Sequence, residues 1–126
     1  MASTTTTANL MAGALALMGT LHFARPAPFD GLVPDELPGS ARTWTYASGV
    51  AELAVAAGLA VPATRRAAGW AAAGLFVAVF PGNLNMVRLW WDRPLGYRLI
   101  AIARLPLQWP MIRSALRVAR ATKPVP

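Results

Sequence analysis

Apolar residues in this chain fall into long uncharged runs, not into the strict alternation of half-buried strands, and a charge or a proline closes each run. A helix that crosses a bilayer needs about 20 mainly apolar residues to span roughly 30 Å of hydrocarbon. The first candidate runs from about residue 7 to 23 (TANLMAGALALMGTLHF) and stops at Arg25-Pro26. The second, about 44–61 (WTYASGVAELAVAAGLAV), opens on Trp44 and Tyr46, ends at Pro62 and is interrupted only by Glu52. The third starts near Arg66, but by Phe80 it would be only about 21 Å long at 1.5 Å per residue. It is therefore expected to run on to Trp90-Trp91, about 66–91, with Pro81 as a kink and other donors serving the carbonyls that Pro81 frees. The fourth, about 96–118, is the most polar, with Arg98, Arg104, Arg113 and Arg117 and with Pro106 and Pro110.

These elements predict an all-α fold, an integral membrane four-helix bundle with a kinked third helix, in a single domain over residues 1–126. Residues 24–43 are rich in Pro and Gly and too polar to span, so they are expected to form an interfacial or re-entrant loop on the outer side. Ala12, Ala16 and Thr20 on the first helix, and Gly69, Ala73 and Val77 on the third, recur at helical spacing and offer close helix approach. A cleaved signal peptide is the competing reading of the first run, but no Lys or Arg precedes it and no prompt small-residue cleavage site follows. Arg65, Arg66, Arg113, Arg117, Arg120 and Lys123 fall on one side of such a bundle, and Arg25, Arg42, Arg88, Arg93 and Arg98 on the other. That slight excess places both termini in the cytoplasm.

Composition supports a membrane protein. Hydrophobic residues make up 56% of the 126 and charged residues 13%, about half the charge of a typical soluble domain. The net charge of +7 raises the question of nucleic acid, yet the arginines are scattered between apolar runs and build no dense basic face, so no nucleic-acid partner is expected. There is no cysteine, which removes disulfides, thiolate metal sites and thiol redox chemistry by this chain alone. All but Lys123 of the 12 cations are arginine, and alanine is abundant, a usage that suggests a GC-rich bacterial genome and so a multi-pass protein of the bacterial cytoplasmic membrane.

Candidate chemistry lies in the polar residues of the apolar runs, because a charge at a helix centre costs about 2.5–3.5 kcal/mol on insertion scales and so faces a cavity or a partner. Glu52 stands mid-helix with Ser48 four residues earlier on the same face, and Arg104 stands mid-helix with Gln108 four residues later. Opposite charges make Glu52 and Arg104 an expected pair, read either as a structural ion pair or as part of a ligand or proton site. His22, the only histidine, is expected at the outer end of the first helix, as a hydrogen-bonded interfacial residue or a group titrating near neutral pH. Asn83 and Asn85 follow Pro81, and their amides are expected either to serve the freed backbone carbonyls or to bind a ligand. The candidate cluster is thus His22, Ser48, Glu52, Asn83, Asn85, Arg104 and Gln108. No catalytic spacing is present, so catalytic residues are unassigned, and one histidine without cysteine is too few ligands for a transition-metal site.

Several fragments taken in order resemble the DoxX-like family of small bacterial membrane proteins: LHFARPAPFDGLVPDELP, YASGVAELAVAAGLAVPATRRAAGW, FVAVFPGNLNMV and RLPLQWPMI. They lie within about residues 19–113. The resemblance implies four transmembrane helices and marks His22, Phe23, Pro34, Pro38, Ser48, Gly49, Glu52, Pro81, Asn83, Asn85, Met86, Arg104 and Gln108 as pattern positions. Gly82 departs from it, where Ala is more usual. DoxX-like and DoxD-like proteins are linked to membrane-side sulfur and quinone redox systems and to oxidative-stress complexes, so the resemblance leaves function open.

Three functions compete. The leading expectation is a membrane protein that is not an enzyme on its own, a small-ligand-binding or accessory subunit built around the polar cluster. The alternative is a membrane subunit of a quinone-linked oxidoreductase, with quinone as the candidate cofactor and Trp44 or Trp70 as stacking surfaces. The third is a small transporter, suggested by the broken third helix. Expected partners are the lipid bilayer and either a second copy of the chain or another subunit of a membrane complex.

Overall fold

The computed structural model describes residues 3–122. Lys123, counted above in the charge balance, lies outside the described residues. Helix α1 (Thr4–Ala24) begins where Ser3 caps it, the Ser3 Oγ accepting from the Thr6 amide at 3.1 Å. It ends at Arg25-Pro26, since the proline ring cannot continue an α-helix. Residues 25–40 hold one helical turn, α2 (Ala27–Asp30), and reverse the chain. Helix α3 (Ala41–Ala60) starts three residues before the expected Trp44, because Ser40 caps it through the Thr43 amide at 3.2 Å.

Helix α3 ends against Pro62 and is closed by side chains from the next segment. The Arg65 guanidinium donates to the Leu59 and Ala60 carbonyls (2.8 and 3.2 Å) and the Thr64 hydroxyl to the Gly58 carbonyl (2.8 Å). These are the carbonyls a helix end leaves without amide partners. The expected kinked third helix is two helices, α4 (Arg65–Ala78) and α5 (Phe80–Trp90), with Val79 between them (φ −85°, ψ −4°) and Pro81 in the first turn of α5. Helix α6 (Leu95–Ala121) keeps Pro106 and Pro110 in its interior.

The described residues hold only helices, turns and loops. The segments Thr4–Ala24 and Pro62–Trp90 are long and apolar enough to cross a membrane. Helix α3, with Glu52, and α6, with its arginines, are more polar.

Buried positions follow heptad-like stripes: Ala8, Ala12, Leu15, Gly19 and His22 on α1, opposed by Thr45, Gly49, Glu52, Ala56 and Leu59 on α3. Ala16 is half-buried and Thr20 exposed, so the α1 contact face lies one step round from the expected small-residue row. On α4, Gly69 and Ala73 are buried as expected but Val77 is exposed. The apolar core joins α1, α3, α4 and α6, with Leu59 and Val118 fully enclosed. At Gly69 α4 and α6 approach closely: a Cβ placed there would lie 2.7 Å from the Ala119 backbone nitrogen.

Candidate functional site

The buried polar residues gather mainly toward the end of the protein where the 25–40 segment crosses. Gly19 and Gly49 bring α1 and α3 together there, and a Cβ at Gly49 would meet His22 Cβ at 2.9 Å and the Phe23 ring at 2.7 Å. That proximity leaves Glu52 beside His22. Glu52 Oε2 lies 3.1 Å from His22 Nδ1, and both side chains are 9% exposed.

His22 Nδ1 is also 2.7 Å from the Met18 carbonyl. A carbonyl only accepts, so Nδ1 carries the hydrogen and donates it to Met18. With Nδ1 committed to Met18, Glu52 Oε2 is buried with no hydrogen-bond partner among the described residues. The Phe29 ring stacks on the imidazole, centroids 3.9 Å apart and planes 20° from parallel.

Residues 26–38 form a lid held from both sides. Toward α3, Asp30 accepts from the Thr45 hydroxyl (2.6 Å) and from Arg42 Nε (2.8 Å), while Trp44 Nε1 donates to the Pro38 carbonyl (2.6 Å). Toward α5, Asn85 Nδ2 donates to the Leu32 carbonyl (3.0 Å) and Arg88 pairs with Glu36 (3.1 Å). The Thr45 hydroxyl, joined by Arg42, holds the Asp30 carboxyl below its ordinary value of 3.8. Glu36 is likewise lowered, first by its own backbone amide and then by Arg88.

The expected Glu52–Arg104 pair is corrected by this geometry. His22, not Arg104, lies beside Glu52, and Arg104 is exposed with no ion pair among the described residues. Residue 104 lies on the same face of α6 as buried Ala101 and Gln108, but there the neighbouring helices leave it uncovered. The amide roles are corrected too. The Phe76 carbonyl, at the end of α4 just before the Val79 break, is served by Gln108 Nε2 from α6 at 2.6 Å. Asn85 is spent on the lid, its Oδ1 left without a partner, and Asn83 is buried. Ser48 is half-buried beside the stripe, and Gly49 occupies the contact position.

The structure therefore joins His22 and Glu52, ties Asn85 to the lid above them, and sends Gln108 to the helix break and Arg104 to the surface. Phe29, Asp30 and Thr45 are site residues that sequence reasoning missed. Thr45 had a legible signal, since 45, 49, 52, 56 and 59 repeat with heptad spacing; Phe29 and Asp30 lie in the single turn α2, too short for any periodicity to read. No metal-holding group of three His, Cys, Asp or Glu exists among the described residues.

Chemically, the pair offers one strong acceptor oxygen on Glu52 and an imidazole edge of either sense, under an aromatic roof and behind a tethered lid. Such a set suits a small ligand bearing hydrogen-bond donors or a positive charge. No curated protein and no solved structure matches the chain. A family model described as a domain of unknown function, DUF8561, matches residues 11–119, which include every element of this site, and the chain belongs to that family.

Proposed function

We propose that this chain is a multi-pass protein of the bacterial cytoplasmic membrane, a four-helix bundle of α1, α3, α4–α5 and α6, that binds a small polar ligand beside the His22–Glu52 pair, at the free Glu52 Oε2. It acts as a ligand-binding or accessory subunit with no catalysis of its own. The observation that carries this reading is the buried Glu52 Oε2, which no donor among the described residues satisfies. A buried carboxylate oxygen without a partner costs free energy on the order of 1–3 kcal/mol or more, and a ligand donor at that position removes the cost. The lid supports the same reading, because ties through Asp30, Asn85 and Glu36 on opposite sides can open without disturbing the apolar core. The positions that resemble DoxX-like proteins include His22, Glu52, Asn83 and Asn85, and we propose that relationship as well. The cytoplasmic placement of both termini belongs to this proposal and rests on the arginine balance.

Native mass spectrometry of the gently extracted protein tests the reading. The wild type is expected to carry a small-molecule adduct that Glu52→Gln loses while remaining folded. An adduct retained equally by Glu52→Gln, or no adduct from any mild extraction, refutes a ligand site at Glu52. If the adduct absorbs as a quinone or flavin, the quinone-linked subunit replaces the accessory reading.

A further inference from the structure

The chain's charges divide unevenly between its two ends. At the lid end, Asp30, Asp35, Glu36 and Asp92 accompany the arginines, and Arg42 and Arg88 are taken up by Asp30 and Glu36. At the opposite end, residues 3–12, 61–78 and 109–122 contain no Asp or Glu. Arg65 and Arg66 there are engaged with the Leu59, Ala60 and Thr122 carbonyls, fixing the α3–α4 turn and the end of α6. Arg113, Arg117 and Arg120 have neither a hydrogen-bond partner nor an ion pair among the described residues and are exposed.

Residues 113, 116, 117 and 120 share one face of α6 by their three- and four-residue spacing. With Ala121 they line an open groove of about 450 Å³, in which Leu116 supplies an apolar wall between the guanidinium groups. The Arg120 guanidinium lies 5.9 Å from the exposed Trp70 ring, placing an aromatic of the kind found at membrane interfaces beside the cations. Cations without counter-charges among the described residues, an apolar wall and an interfacial tryptophan match a phosphodiester headgroup carrying acyl chains. A free polyanion would leave the apolar wall unused.

We propose that Arg113, Arg117 and Arg120 form a docking groove for the phosphate headgroup of an anionic phospholipid in the leaflet that meets this end of the protein. The guanidinium groups hold the phosphate by charge-assisted hydrogen bonds, while Leu116 and Trp70 pack along the first part of the acyl chains. The lipid then neutralises the mutual repulsion of the three arginines and anchors the C-terminal part of α6. The proposal rests on the membrane reading above but not on the Glu52 ligand site.

The test titrates the full detergent-purified chain with phosphatidylglycerol, with phosphatidylcholine of the same chain length, and with inorganic phosphate, reading bound species by native mass spectrometry. The wild type is expected to hold phosphatidylglycerol about tenfold tighter than phosphatidylcholine or more, since each basic residue near an anionic surface contributes on the order of a few-fold. Arg113→Gln/Arg117→Gln/Arg120→Gln is expected to lose that preference. Arg113→Lys/Arg117→Lys/Arg120→Lys should keep most of it, which separates lost charge from lost fold. Arg25→Gln/Arg93→Gln/Arg98→Gln, the same charge removed at the lid end, should change it less than about twofold. Equal loss in the lid-end variant, no preference in the wild type, or displacement of the lipid by equimolar inorganic phosphate overturns the groove. Carbonate washing of membranes tests the membrane reading separately: a chain released from the pellet refutes membrane integration, and a retained chain without lipid preference refutes the groove alone.

Discussion

The two halves of the helical fold are held together by different physics. Around Leu59, Ala72, Ala115 and Val118 the helices meet through small side chains, with Gly69 against the Ala119 backbone. Around His22, Glu52 and Asn85 the elements meet through polar groups, and Glu52 Oε2 and Asn85 Oδ1 end without a partner among the described residues. Dispersion and close packing make the first half hard to alter. Unsatisfied polar atoms under a tethered lid make the second half costly to keep unless it binds something. The contrast locates the close packing in one half and the unsatisfied polar atoms in the other.

The comparison breaks most visibly at the packed half. Leu59→Ala removes a fully enclosed side chain and is expected to cost about 2–5 kcal/mol, read as lost folded yield or a lower unfolding midpoint in detergent. Gly69→Ala should cost about 1–3 kcal/mol, because its new methyl meets backbone and not a movable side chain. Gly74→Ala, with nothing within 4 Å, should instead be neutral or stabilising by up to about 1 kcal/mol. If both glycine variants behave alike in thermal unfolding, α4 and α6 are not in the contact described.

Gln108→Ala strands the Phe76 carbonyl at the α4–α5 break and is expected to cost about 1–3 kcal/mol. Backbone hydrogen exchange around residues 76–80 should rise with it. Unchanged exchange there would mean that another donor serves the break.

The smallest effect belongs to the lid. Asp30 has a lowered value when folded, so its ties contribute fully above its ordinary 3.8 and are lost as the pH falls through the lowered folded value. Proteolysis of residues 26–38 by an acid protease should therefore be slow near pH 5 and accelerate only at strongly acid pH. Asp30→Asn should be cleaved faster at pH 5 with little change in global stability. A lid equally sensitive in both proteins would detach Asp30 from its retention.

The helical frame was legible in the sequence because it is written in uncharged runs and stop signals. Arg25-Pro26, Pro62 and Pro94 lie at helix boundaries, and expected and observed helices differ by a few residues where serine caps extend them. The charged pairing was misread because it depends on which helices are neighbours. Glu52 lies on an α3 face turned to α1, and Arg104 on a helix packed chiefly against α4 and α5, a relation that charge alone does not encode. The heptad stripe Ala8, Ala12, Leu15, Gly19 and His22 did encode it, since it puts the only histidine on the buried face. Likewise, an amide does serve the break before Pro81, but it comes from Gln108, which is 32 residues from Phe76 in sequence and adjacent in space. At Gly82, where the DoxX-like pattern has Ala, a Cβ would meet only the Leu32 carbonyl at 3.8 Å, so the site has room for alanine.

Because the chain has a single histidine, its ring nitrogens can be observed without assignment ambiguity. Solid-state nitrogen NMR of the protein in lipid, with carbon-labelled glutamate, measures the dipolar coupling between the His22 ring and a side-chain carboxyl carbon. The pairing at 3.1 Å predicts a strong coupling that disappears in Glu52→Gln prepared without label at residue 52, and a hydrogen on Nδ1 donated to the Met18 carbonyl. A histidine with no carboxyl coupling, whose spectrum is that of a freely solvated imidazole and is unchanged by Glu52→Gln, would contradict the buried pair on which the site is built.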